Sequence, residues 1–336
     1  MSKRLIFAVL SVLVVTLGAG FVLWPRSPKG YSGKMESIAV AYPPFESATL
    51  YYIAEDQHFF SQNGLNVTSR KYDTGAASLA GVVKGEVDIA VGVAEFPLVG
   101  RALQKVKLAV IANIDKAEFI FLIGRKDRGI EKASDLRRKR VGTTLGTVAH
   151  FHLGRFLDLH GMNIQDITLV DVKTPEEWVN AVADGYIDAI ATAQPYANSA
   201  KERLAANAVF WPAQSGQPLH GLVISSNEWN KSHPELARRF LKSLAQAEEY
   251  VVHHPAQAKT ILQKRLSLGP AYMNVVWSQN QFSLSLDQAL IVTMEDEARW
   301  MIANKLTTEK QVPDFLNFIY VDGLKAVKPE AVNLIR

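Results

Sequence analysis

Apolar and polar positions along the chain fall into short blocks whose period alternates between that of a buried strand and that of an amphipathic helix. Residues 36–42, ESIAVAY, read as a buried first strand ended by Pro43 and Pro44. The run ESATLYYIAEDQHFFSQNGL then carries Leu50, Ile53, Ala54 and Phe60 at helical spacing, with Gly64 placed as the stop just beyond the helix end. NVTSRKYD alternates as a second strand, GAASLAGVVKG reads as a helix closed by Gly85, and VDIAVG as a third strand. VKLAVIANI and AEFIFLIGRKD continue the strand series. This βαβα order with apolar strands predicts a parallel sheet covered by helices.

The same order then begins again. ASDLRRKR predicts a short helix, RVGTT a strand, TVAHFHLGRFLDLHGM a helix ended by Gly161, ITLVDV a strand, TPEEWVNAVADG a helix and YIDAIAT a strand. Thr174 and Glu177 stand in capping-box spacing at the start of that second helix. HGLVISSNEW reads as one more strand, and from Pro234 the chain reads as mainly helical through PELARRFLKSLAQAEEYVVHHP, DQALIVTMEDEARWMIAN and VPDFLNFIY. One phrase therefore occurs twice: LAGVVKGEVDIAVG and VNAVADGYIDAIAT, with Gly85 and Gly185, and Asp88 and Asp188, each 100 positions apart. Each copy is the second helix–strand step of its own unit, which predicts two α/β lobes of similar build. The glycines read as helix C-caps and the aspartates as loop-capping residues.

Residues 5–24, LIFAVLSVLVVTLGAGFVLW, fit neither period. They form an uncharged apolar run behind Lys3 and Arg4, followed by Pro25 and Pro28. Twenty residues at ~1.5 Å rise are long enough to span a bilayer core. Gly18 and Gly20 suit the cleavage site of a secretory signal peptide, whereas the length of the run and Trp24 favour an uncleaved anchor. Either way the remainder is expected to be exported.

Composition changes this picture in two places. Lys3, Arg4, Arg26 and Lys29 account for the whole formal net charge of +4, so the exported body is near neutral and its charge is no argument for nucleic acid. The absence of cysteine excludes disulfides, thiolate catalysis, cysteine-ligated metals and a lipoprotein anchor. At 336 residues and 48% hydrophobic content, the chain is large enough for two cores.

From about Ile38 to Arg336 the chain resembles the periplasmic substrate-binding proteins of the nitrate, sulfonate and taurine uptake type, relatives of the thiamine-pyrimidine proteins. The carriers are PPFESATLYYIAEDQHFFSQNGLNV, GVVKGEVDIAVGVAEFPLV, RVGTTLGTVAHFHLGRFL, AVADGYIDAIATAQPYA and the tail SLDQALIVTMEDEARW…VPDFLNFIYVDGLKAVKPEAV. The resemblance implies an α/β, two-lobe periplasmic binding protein fold of type II, each lobe a mainly parallel sheet flanked by helices, after the N-terminal hydrophobic segment of residues 1–30. It implies lobe 1 at 35–125 and 221–336, lobe 2 at 126–220, and crossings near FIFLIGRK and LVISSNEW.

Ligands of open parallel sheets bind beyond the carboxyl ends of the strands. That rule, with the resemblance, selects the candidate ligand contacts. TTLGTVAH offers Thr144, Gly146, Thr147 and His150 at a strand-to-helix turn, where free N–H groups and the helix dipole favour an anion; Thr147 is alternatively a plain helix cap. YPPFESATL offers Tyr42, Phe45 and Glu46, DTGAAS offers Gly75 and Ala76, and AEFP offers Glu95 and Phe96. The two carboxylates would welcome an amine or hydroxyl on the ligand if they face it, and are otherwise structural. In lobe 2, Gln194 stands where similar proteins often carry Trp, with Tyr196 close by to supply an aromatic face. No histidine pair has metal-ligand spacing, and no nucleophile elbow or phosphate loop occurs, so neither cofactor nor metal nor catalytic residue is expected. The function implied is capture of a small organic or anionic solute in the periplasm and delivery to the permease and ATPase of an ABC importer, with membrane contact through the N-terminal segment. A membrane-anchored ligand-sensing module for a signalling partner, or an enzyme of the pyrimidine-synthesis branch, are the alternatives.

Overall fold

A computed structural model describes residues 31–335, of which those from Met35 onward form one compact unit. The N-terminal apolar run lies outside the described residues. Among the described residues no helix is long and apolar enough to cross a membrane.

Two sheets organise the chain. Strands β1 (Glu36–Tyr42), β2 (Leu65–Lys71), β3 (Ile89–Val93) and β4 (Leu108–Ala117) build the first, and β5 (Ile120–Arg125), β6 (Arg140–Thr143), β7 (Thr168–Asp171), β8 (Ala189–Ala193) and β9 (Ala208–Pro212) build the second. The chain then returns to the first sheet as β10 (Leu219–Ser226), with the short β11 (Asn280–Gln281) at its edge. The orders are β11-β4-β10-β3-β1-β2 and β7-β6-β8-β5-β9.

Both sheets are mixed, which corrects the expectation of mainly parallel ones. β1 runs parallel to β2 and β3, and β6 runs parallel to β7 and β8. β10, however, inserts antiparallel between β3 and β4, and β5 inserts antiparallel between β8 and β9. Each inserted strand arrives from the other sheet and is buried on both faces, so its residues form the same continuous apolar run as a parallel strand. Periodicity cannot tell the two directions apart.

The repeated phrase has a matched structural role. Gly85 and Gly185 close their helices at φ +71 and +80, a region open to glycine without steric cost. The Asp88 carboxylate accepts from the Ala39 N–H at 2.7 Å, and the Asp88 N–H donates to the Ala39 carbonyl at 2.9 Å. Asp188 does the same to Arg140, at 2.9 and 2.8 Å. Each aspartate thus fastens the third strand of its unit to the first, one residue ahead of the parallel pairings Val40–Ile89 and Val141–Ala189.

Two local expectations are revised. The single helix expected over residues 46–65 is broken: Thr49–Asp56 ends, His58 takes φ +58, and Phe59–Gln62 restarts at a new angle that stacks Phe60 on Phe240 at 5.2 Å. VPDFLNFIY contains a short 3-10 turn, Phe315–Phe318, in place of a full helix. The Thr174–Glu177 capping box forms as its spacing predicts.

Two segments carry the chain between sheets: residues 118–119 outward and 213–218 back. Buried Gln214 ties them together. Its side-chain oxygen accepts from the N–H groups of Phe119 (2.6 Å) and Ile120 (2.7 Å), and its amide donates to the Ala117 and Gln217 carbonyls.

Candidate functional site

A cavity of about 70 Å³ lies where the carboxyl ends of β1, β2, β3, β6 and β8 face one another. Phe45 and Ser47 follow β1, Thr74, Gly75 and Ala76 follow β2, Ala94 and Pro97 follow β3, and Thr144 and Thr147 follow β6. The two crossing segments reach its wall at Phe119 and Leu219. Gly92 permits the wall to form: it sits at φ +65, and a Cβ there would meet the Ala48 nitrogen and the Ser47 hydroxyl at 3.0 Å.

One side of the cavity is aromatic. Phe45 and Trp178 lie nearly parallel, 13° between planes and 6.5 Å between centroids, and Tyr196 packs edge-on against both. The Trp178 indole is locked in place, its N–H bonded to the Thr144 hydroxyl (2.8 Å) and the Val172 carbonyl (3.0 Å). Trp178 lines the cavity and was not among the residues selected from sequence. Its position in the amphipathic helix Pro175–Ala183, one residue after the capping-box glutamate, makes it look like an ordinary core residue.

The opposite side is electropositive without any cation. Three helices begin at the cavity: Gly75–Val83, Glu95–Leu103 and Val148–Leu159. First-turn N–H groups have no carbonyl in a preceding turn, and each helix N-terminus carries a partial positive charge. Gly75, Ala76, Pro97, Val148 and Ala149 are the first-turn residues that line the cavity, all but Pro97 with an N–H, and no Lys, Arg or His lines it. The arrangement suits an anion held by neutral donors.

Hydroxyl protons decide which side chains can help. Thr144 donates to the Val172 carbonyl at 2.6 Å, Thr147 to the Thr144 carbonyl at 2.7 Å, and Ser47 to the Gly92 carbonyl at 3.0 Å. All three line the cavity with their protons committed. Thr74 accepts from the Ala77 N–H at 3.1 Å and keeps its own proton, and the Thr192 hydroxyl has no hydrogen-bond partner among the described residues. Thr74 and Thr192 are therefore the two side-chain donors available to a ligand.

Of the residues selected from sequence, Phe45, Gly75, Ala76, Thr144 and Thr147 line this cavity. Phe96, Gly146 and His150 line a neighbouring one. Tyr42, Glu46, Glu95, Gln194 and Tyr196 line neither. Tyr42 packs against Tyr51, Tyr52 and the Arg265 guanidinium. The Gln194 side-chain oxygen accepts from the Asn198 N–H at 3.2 Å, which occupies it within its own turn.

Both carboxylates are buried behind the wall. Glu95 accepts from the His220 N–H at 3.0 Å and lies 3.2 Å from His220 Nδ1, so it braces β10. Glu46 accepts from the Tyr272 hydroxyl at 2.9 Å, and burial raises its carboxyl to about 7. Close by, burial and the Glu46 charge push Asp115 well above the usual carboxylate range. His150 is held down to about 4, also by burial, and stays neutral at physiological pH. Among the described residues no cluster of three or more His, Asp or Glu is placed to hold a metal ion.

Two mixed α/β sheets joined by two crossings, with a cavity at the strand ends, define a periplasmic binding protein fold. The chain belongs to the NMT1/THI5-like family, whose model matches residues 46–258. It is 25% identical over 228 residues to the taurine-binding periplasmic protein of Escherichia coli, covering 67% of this chain and 69% of that one. A Brucella abortus relative named a binding protein is 24% identical over 252 residues, 72% of this chain and 75% of its own. Among solved structures, the alkanesulfonate-binding protein SsuA of Xanthomonas axonopodis pv. citri, bound to MOPS, superposes with TM-score 0.72 at 19% identity, over 84% of this chain and 97% of that one.

Proposed function

We propose that the protein is the exported solute-binding component of an ABC importer and that its solute is a small organic anion of the sulfonate class. The observation that carries this reading is the convergence of three helix N-termini and two uncommitted hydroxyls on an aromatic-walled cavity with no cation in its lining. A tetrahedral oxyanion matches several neutral donors arriving from different directions, and an attached carbon matches the faces of Phe45 and Trp178. Relatives named for taurine and alkanesulfonates support the same chemical class.

The mechanism is capture by closure. Residues 35–117 with 219–335 form one lobe and 120–212 the other, bounds that follow the two sheets and move the expected 125/126 and 220/221 divisions to the crossings that Gln214 ties together. A ligand that bonds Thr74 and Gly75 in one lobe and Thr192 and Val148 in the other stabilises the closed state over the open one. Of the contacts expected from sequence, Phe45, Gly75, Ala76, Thr144 and Thr147 form part of this site, joined by Thr74, Trp178 and Thr192. The closed form is then the species recognised by the permease. The N-terminal apolar segment places the body in the periplasm, as signal peptide or inner-membrane anchor.

With Glu46 and Glu95 behind the wall, a ligand amine has no carboxylate partner. Calorimetric titration with ethanesulfonate, taurine and nitrate tests the reading. Ethanesulfonate is expected to bind, with taurine no tighter, because desolvating its ammonium gains no ion pair. Binding of nitrate with no response to either sulfonate would overturn the assignment of class.

A further inference from the structure

A second cavity, of about 360 Å³, adjoins the first. Ala76 and Pro97 line both, and the loop between β6 and the helix Val148–Leu159 partitions them: Thr144 and Thr147 line the first cavity, Leu145 and Gly146 the second. That partition is firmly held, because the Leu145 N–H also bonds Asp171 at 3.1 Å. The second cavity is walled chiefly by Leu79, Phe96, Leu103, Met301 and Leu306, with Arg101, Gln104, Thr307 and His150 as its polar lining.

We propose that this cavity is the tail subsite of the same ligand: an alkyl or aryl group attached to the anionic head passes Ala76 and Pro97 and is buried there. The inference rests on the solute-binding reading and names the ligand class more narrowly. Size is the first argument. At 10–15 Å³ per water-sized body, the head cavity holds about five to seven of them, enough for an oxyanion and one or two carbons. A larger organic anion has to continue somewhere, and the adjoining space is five times as large. Chemistry is the second. The His150 imidazole is neutral and stands edge-on to Phe96 and Trp300, and the Arg101 guanidinium already donates to the Gln104 side chain at 2.9 Å. Arg101 keeps its charge, and the rest of the wall presents mostly carbon. Third, Leu145 and Leu306, 43% and 49% exposed, line this cavity from the two lobes, and a tail lying between them would cover both.

The test is a calorimetric series of linear alkanesulfonates from ethane to hexane on the full chain. Each methylene buried is expected to tighten binding about fourfold, so the four added carbons give a gain of about two orders of magnitude. Gly100→Leu places a side chain into the second cavity, where its Cβ meets Met301 at an ordinary 3.6 Å. That variant is expected to bind ethanesulfonate as the wild type does and to lose the chain-length gain. Leu306→Ser, at a half-exposed position, is expected to weaken hexanesulfonate several-fold and leave ethanesulfonate unchanged. Ethanesulfonate binding with a flat series, or a chain-length gain that survives Gly100→Leu, overturns the tail subsite alone. No binding anywhere in the series overturns the anion site and the tail subsite together.

Discussion

Thr74 and Thr192 are set apart from the other hydroxyls by where their protons go. Thr144, Thr147 and Ser47 spend theirs on backbone carbonyls, so they shape the cavity more than they bind with it. Replacing Thr74 and Thr192 together by Val keeps the volume and removes two donors to a charged group, each about 1.5–3 kcal/mol. Ethanesulfonate affinity is expected to fall at least a hundredfold in titration calorimetry, with Thr147→Val costing less than either single change. A strand-to-helix turn rich in threonine is visible in the sequence, whereas the commitment of each hydroxyl is a matter of tertiary geometry. The same limit explains Glu46 and Glu95. Their positions after β1 and β3 are legible; their burial behind the wall depends on Tyr272 and His220, more than a hundred residues away.

Glu46 also carries a pH signature. Its carboxyl titrates at about 7 in the folded chain against an ordinary 4.5, so the folded state keeps the proton longer than the unfolded one. The sign follows: stability is undiminished below about pH 4.5, falls as pH rises through this window, and is lower by roughly 3 kcal/mol above pH 7. His150 and His152, held to about 4 and about 3, act oppositely and favour the folded state as pH rises toward 6.5. Comparing Glu46→Gln with the wild type isolates the first effect. The variant is expected to gain stability relative to the wild type between pH 5 and 7 in urea denaturation, and a difference that does not change with pH would contradict the assignment.

At the scale of elements, the helix–turn–strand phrase repeated 100 residues apart was legible, and so was the glycine at positive φ that closes each helix. The aspartates read as loop caps instead fasten a strand 49 and 48 residues away, a pairing that spacing does not reveal. Asp88→Ala and Asp188→Ala each remove a carboxylate that accepts a strand N–H, and each is expected to cost about 1–3 kcal/mol in denaturant titration. Ligand affinity should stay near the wild-type value in both. Strand direction was not legible, because β5 and β10 carry the same apolar runs as their parallel neighbours and their sense is set by which sheet they come from. Trp178 escaped for a related reason: an aromatic residue on an amphipathic helix looks the same whether it faces the core or a ligand.

At the scale of the molecule, the two crossings and the cavity beside them are one mechanical unit. Gln214 accepts from the consecutive N–H groups of Phe119 and Ile120 and donates to the Ala117 and Gln217 carbonyls, so it ties the two crossings together. Gln214→Ala leaves four backbone groups without these partners and touches no ligand atom. It is expected to lower thermal stability and to change sulfonate affinity, chiefly through the rate of release, as measured by stopped-flow Trp fluorescence from Trp178. An unchanged release rate would assign Gln214 to stability alone.

The central claim is that an organic sulfonate binds where three helices begin. Titration calorimetry of the full chain with ethanesulfonate, beside the Thr74→Val/Thr192→Val double variant, tests it most directly. Saturable one-to-one binding by the wild type and its loss in the variant are expected. No binding by the folded wild type, or equal binding by both proteins, would contradict it.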